Sequence, residues 1–220
     1  MFDTRVAASC RRDAGRLAAL VLTTLFTASS AHAQIWVESG DAGDLVSTAQ
    51  NTVGVGTLSQ IQGLLASPTD VDVYRVRLTA TLPFGTALVG LNCVAIQSPN
   101  VWLFDAAGTG LGSSTTCSGG VKQIAALSPS LAPGNYYVAV SFYGLDPQSA
   151  AGAMWTPGPP VMRAPDGPGA AGTLSGWAGT PIVQPLNPYQ VYFHPLFSFC
   201  DAATSIPRST WGELKTRYGN

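Results

Sequence analysis

The sequence predicts an all-β protein: a jelly-roll-like antiparallel β-sandwich with a Pro/Gly-rich excursion and a short C-terminal helix. Three observations carry this. Tyr74, Val76 and Leu78 alternate with Arg75, Arg77 and Thr79, the period of two of a strand with one wet face. Residues 101–104 (VWLF) are short and wholly apolar, as in a strand buried on both faces. Further short apolar runs are separated by turns rich in Gly, Pro, Asn and Asp, the punctuation of a sandwich.

The chain opens on Arg5, Arg11, Arg12 and Arg16, then an apolar stretch at 17–28, then Ala31-His32-Ala33. A dozen or so apolar residues suit a signal peptide and fall short of the roughly 20 that a bilayer span needs. The reading is a signal peptide over 1–33, a sandwich over 34–200 and a tail over 201–220. Within the sandwich, 86–96 (TALVGLNCVAI) is a second β-like run, and Gly108, Gly110 and Gly112 mark a turn-rich connection after 101–104. Ala132-Pro133-Gly134-Asn135 turns the chain into a strand over 136–142. Residues 146–186 break the rhythm with TPGPP and APDGPGAAG, and read as a long surface loop or excursion. The run 189–199 returns to β character as a last strand pair or edge strand, with Pro195 forcing a bulge or an edge position. In the tail, Thr210 and Glu213 match a capping box, and Trp211, Leu214 and Tyr218 fall on one helical face. That predicts a short helix lying on the sandwich; a docking or sorting tag is the alternative.

Cleavage after Ala33 leaves seven basic and ten acidic side chains, a net charge of about −3. No basic patch is left to neutralise phosphates, so no nucleic-acid partner is expected. No later segment is apolar enough for a stable membrane span, and the expected location is secreted or cell-surface/periplasmic. In an oxidising compartment a disulfide is the default, and Cys93 and Cys117, each in or beside a strand-like run, are paired here. Cys200 is then left over, and its pairing with either remains an alternative on sequence alone.

The chemistry of the mature chain argues against catalysis. His194 is its single histidine, and no G-x-S-x-G elbow occurs, so the parts of a serine hydrolase are missing. One histidine and oxidised cysteines leave no usual zinc set, and no glycine-rich loop ends in a Lys-Ser/Thr pair. The carboxylates lie mostly in turns, where Asp is favoured for local hydrogen bonding. No catalytic residue is assigned, and a small secreted hydrolase is kept only as the least favoured alternative.

Four pieces in order carry a family resemblance: WVESGDAGDLVSTAQ, LSQIQGLLASPTDVDVYRVRL, VWLFDAAGTGL and LSPSLAPGNYYVAVSFYG. With them, residues 36–143 resemble the bacterial pre-peptidase C-terminal domain, a small β-sandwich attached to many secreted proteins. The resemblance covers about half the chain and implies a fold and an accessory role rather than an activity. It also implies a calcium site, because in some members acids at the domain opening and before a central strand bind that ion. Here those places hold Glu38, Asp41 and Asp44, then Asp70 and Asp72. The sequence departs from the family in lacking an E-x-E start, and ordinary solvated turn residues are the competing reading. The expected function is a secreted non-catalytic sandwich acting in binding, adhesion or surface presentation, with extracellular polysaccharide or a protein surface as partner. A carbohydrate- or matrix-binding module using exposed aromatics is the second reading, with Trp155 and Trp177 as its better candidate rings, although closing the excursion onto the sandwich is the favoured role for both.

Overall fold

The computed structural model describes residues 33–202 apart from 96, 128–129, 159–160 and 183–187. The expected signal peptide (its first 32 residues) and the expected C-terminal helix lie outside the described residues. Within them the protein is all-β, without helix. Twelve strands organise it: β1 (Gln34–Val37), β2 (Leu58–Gly63), β3 (Val71–Leu78), β4 (Ala87–Asn92), β5 (Asn100–Phe104), β6 (Gly110–Ser114), β7 (Val121–Ala125), β8 (Gly134–Ser141), β9 (Tyr143–Ser149), β10 (Gly176–Ile182), β11 (Tyr189–Phe193) and β12 (Phe197–Phe199).

Ten of them form two main sheets, and β9 and β10 pair antiparallel in a further small one. Sheet I has the order β1-β2-β11-β4-β7, and sheet II runs β6-β5-β8-β3-β12. Short bridges extend sheet II, with Met162–Arg163 on β6 and Gln50–Asn51 on β3. Most pairs are antiparallel, as expected, but β1 joins β2 in parallel, and Gln50–Asn51 joins β3 likewise. The long connection from Val37 to Leu58 permits this, because a parallel pair needs a crossover rather than a hairpin.

Alternation sorts the side chains of sheet II between two cores. Tyr74, Val76, Leu78, Val101, Leu103, Val138 and Val140 face Ile61, Leu91 and Val191 of sheet I. The intervening Val71, Val73, Trp102, Phe104 and Ala139 point the other way. β5 is therefore buried along its whole length on both faces.

What covers the second face is the Pro/Gly-rich excursion. Expected as a surface loop, it instead carries most of β9 and all of β10 and, with Leu145 just before it, lays Met154, Trp155 and Leu174 on Trp102 and Phe104. Trp155 lies 5.1 Å from Trp102 and 6.1 Å from Phe104 between ring centroids. Its backbone is held as closely: the amide of Gly167 donates to Met154 O at 3.1 Å and that of Gly169 to Ala153 O at 2.8 Å. A Cβ on Gly169 would stand 2.1 Å from Gly152 O, so the glycine allows strand and loop to touch.

Three further features tie the sandwich. Cys93 and Cys117 are disulfide-bonded, joining the end of β4 to the chain entering β7. Cys200 is a free, half-buried thiol, whose Sγ lies 3.8 Å from Asn135 Oδ1. Lys122 of β7 points inward and is fully buried, its Nζ donating to Ser98 O at 2.6 Å and Asn100 Oδ1 at 2.9 Å. Burial pulls its pKa down to about 7.

Truncating a buried aromatic removes its transfer energy and leaves a cavity. Trp155→Ala should cost roughly 3–5 kcal/mol, read as a lower urea midpoint by circular dichroism. Phe84, two-thirds exposed in a turn, is the control: Phe84→Ala should change stability by no more than about 0.5 kcal/mol.

Candidate metal centre

The polypeptide after β1 continues its parallel pairing for one residue, with Glu38 N donating to Gln62 O at 2.9 Å. It then turns through an acidic loop. Glu38 Oε1 accepts from Ala42 N at 3.1 Å and Oε2 from Leu64 N at 3.0 Å, so this carboxylate holds the loop against the end of β2. Asp41 Oδ1 accepts from Gly43 N at 3.4 Å, a local Asx turn. Val73 N donates to Gly43 O at 3.1 Å, which pins the loop to the start of β3.

That places Asp72 beside it. Asp72 lies on β3, fully buried. Its Oδ2 accepts from Tyr189 Oη at 2.5 Å, and Tyr189 Oη lies 2.5 Å from Tyr74 Oη. With Asp72 ionised, the single proton of Tyr189 goes to the carboxylate, so Tyr74 donates to Tyr189. Gly63 makes room for both phenols: a Cβ there would stand 2.3 Å from Tyr189 Oη and 2.6 Å from Tyr74 Oη. The other oxygen, Asp72 Oδ1, is buried with no hydrogen-bond partner.

Glu38, Asp41 and Asp72 each bring one carboxylate oxygen within 4.8 Å of the others. A calcium ion holds its oxygens at about 2.3–2.6 Å, so ligands on opposite sides of one ion stand about 5 Å apart. The cluster has that dimension. Three carboxylates close together, one buried and half-satisfied, repel unless protonated or bridged by a cation. Burial pushes the Asp72 carboxyl up to about 8, with the Glu38 and Asp70 charges adding to the rise and the Tyr189 hydrogen bond opposing it. The donor set, hard oxygens of mixed burial, suits calcium.

The five acids singled out in the sequence thus divide. Glu38, Asp41 and Asp72 converge. Asp70 stands beside them, its carboxylate spent on the amide of Ala66 in the turn before β3. Burial raises its pKa, with the Asp41 charge adding to it. Asp44 is exposed, and its backbone carbonyl accepts from Trp177 Nε1 at 2.7 Å. Its carboxyl is raised first by partial desolvation against the neighbouring loop atoms and then by the charges of Asp70 and Asp41.

Tyr74, Tyr189 and Gly63 escaped the sequence reading as site residues. Tyr189 is 117 positions from the carboxylate it serves, and no local pattern reports such a partner. Of the two tryptophans considered for ligand stacking, Trp155 is buried in the second core and unable to stack on a ligand; Trp177 packs 6.2 Å from Trp102. His194 is occupied in a turn, its Nδ1 accepting from Leu196 N at 3.2 Å. Neither the family models nor the curated proteins give a match to this chain.

The raised Asp72 carboxyl fixes the sign of a pH effect. The folded state keeps a proton that the unfolded chain releases near pH 3.8, so stability from this group is full below that pH and is lost as pH rises towards 8. In chelator, wild-type protein should melt at lower temperature at pH 8 than at pH 5. Asp72→Asn should flatten that slope and melt above wild type at pH 8, leaving the falling contributions of Asp44, Asp70 and Asp146 and, opposing them above pH 7, the rising one of Lys122, which the folded state holds neutral there. Thermal melts by circular dichroism across the range read both.

Proposed function

We propose that this chain is an exported, non-catalytic β-sandwich module of the pre-peptidase C-terminal type, jelly-roll-like in its wiring, stabilised by calcium and serving a binding or surface-presentation role. The observation that carries the reading is Asp72: a buried carboxylate with one unpartnered oxygen, facing Glu38 and Asp41 across the width of a single ion. Glu38, Asp41 and Asp72 would hold the ion, with carbonyls or water completing its shell. What calcium supplies is charge. It neutralises the acids and so fastens the 38–48 loop to β2 and β3.

Export is supported by the Cys93–Cys117 disulfide, a bond that persists in oxidising compartments. Among the described residues no helix is long and apolar enough to cross a membrane. The non-catalytic reading draws on the same accounting of side chains. Buried titratable groups are spent on structure: Lys122 on carbonyl oxygens, Tyr189 on Asp72 and Tyr74 on Tyr189.

Calcium titration tests the proposal. At a free concentration one hundred times Kd, linkage adds about 2.7 kcal/mol, which raises Tm by roughly 5–10 °C for a domain of this size. Glu38→Gln and Asp72→Asn should abolish that rise while leaving the chelator-treated protein folded. No rise at millimolar calcium, or an equal rise in both variants, overturns the reading.

A further inference from the structure

The outer face of sheet I, opposite the core, is free of charged side chains. Strand register places two rows across it. One runs Ile35, Gln60, Tyr192, Gly90, Gln123. In the other, Val37 pairs with Gln62, Gln62 with Gln190, and Asn92 with Val121. Asn92 joins Gln190 through its side chain, Oδ1 accepting from Gln190 N at 2.6 Å. Of the nine glutamines in the whole chain, four lie on this face. The only charged residue within the five strands is Lys122, and it points inward.

The face is also shaped. Tyr192 is 40% exposed; Gly90, opposite it on β4, is itself buried, and Val121 Cγ1 fills the space over it, where a Cβ would meet that methyl at 2.9 Å. The Tyr192 hydroxyl donates to Gln190 Oε1, which fixes the ring in place before any ligand arrives. Strands about 4.8 Å apart spread the amides of the two rows, on β2, β11, β4 and β7, over roughly 14 Å.

We propose that this face binds a neutral polysaccharide. Each amide offers both donors and acceptors, the pairing that sugar hydroxyls require. The tyrosine ring supplies an apolar surface for the C–H face of a pyranose, with a polar edge alongside. Acidic polymers are disfavoured because no cation on the face meets their charge. The inference rests on the reading of the chain as an exported binding module, but not on calcium: residues 190 and 192 point away from the core that Tyr189 shares with Asp72.

Affinity electrophoresis tests it, with gels containing galactomannan, xyloglucan, a mixed-linkage β-glucan or dextran, and polygalacturonate and hyaluronan as acidic controls. Retardation is expected in at least one neutral gel, unchanged by added salt. Tyr192→Ala should weaken it at least about tenfold, as loss of a central aromatic anchor does. Gln60→Ala and Gln190→Ala should each weaken it less. All three positions are at least partly exposed, and a thermal melt confirms that each variant is folded. Asp72→Asn should bind as wild type does, so failure of the calcium reading and failure of this one are told apart. No retardation in any neutral gel, retardation by the acidic polymers alone, or an unaffected Tyr192→Ala overturns the proposal.

Discussion

Everything in this molecule follows from a sheet with two apolar faces. β3, β5 and β8 put large side chains both up and down, and a strand so built is unstable in water until each side is covered. Sheet I covers one side. The other is left to a segment whose composition suggests no structure, and that segment meets the demand with a few heavy residues. Met154, Trp155 and Leu174 supply the apolar bulk, while glycines and prolines around them let the chain stay thin and close. The third layer is a requirement set by Trp102 and Phe104.

The same sheet carries an acid where an apolar residue belongs. Asp72 sits in line with Tyr74, Val76 and Leu78 and is as buried as they are. Burial of a carboxylate costs several kcal/mol unless it is protonated, paired or bound to a cation. One tyrosine, from a strand far along the chain and itself backed by Tyr74, satisfies a single oxygen. Glu38 and Asp41 worsen the electrostatics rather than relieve them. A protein that only needed to fold gains nothing from this arrangement, which is why it reads as a site.

Much of the sandwich was legible because strand periodicity is a direct report of facing. The alternation at 74–79 matched the core side of β3, and the unbroken apolar run at 101–104 reported burial on both sides of β5. Pro195 marked a real discontinuity, and its consequence exceeds a bulge: the chain leaves sheet I at Phe193 and enters sheet II at Phe197. The illegible parts were those set by distant partners. Nothing near Asp72 announces Tyr189, and nothing in VKQIA says that Lys122 faces inward to carbonyl groups. The excursion misled because a high glycine and proline content is shared by loose linkers and by tightly apposed chain. Only the tryptophans distinguish them.

The placement of β11 bears on how this protein comes to be folded. It lies between β2 and β4 in the middle of sheet I, yet it follows both by about a hundred residues or more along the chain and comes late among the described strands. Until it arrives, that sheet exists as two unconnected pairs, one from each side of the gap. β12 follows at once on the edge of β3, so a short stretch of chain closes both layers together. Such late, long-range closure makes folding slow and leaves strand edges open meanwhile. A chain wired this way stays unlocked while it is being synthesised, which is the condition in which a polypeptide can still be threaded through a narrow channel.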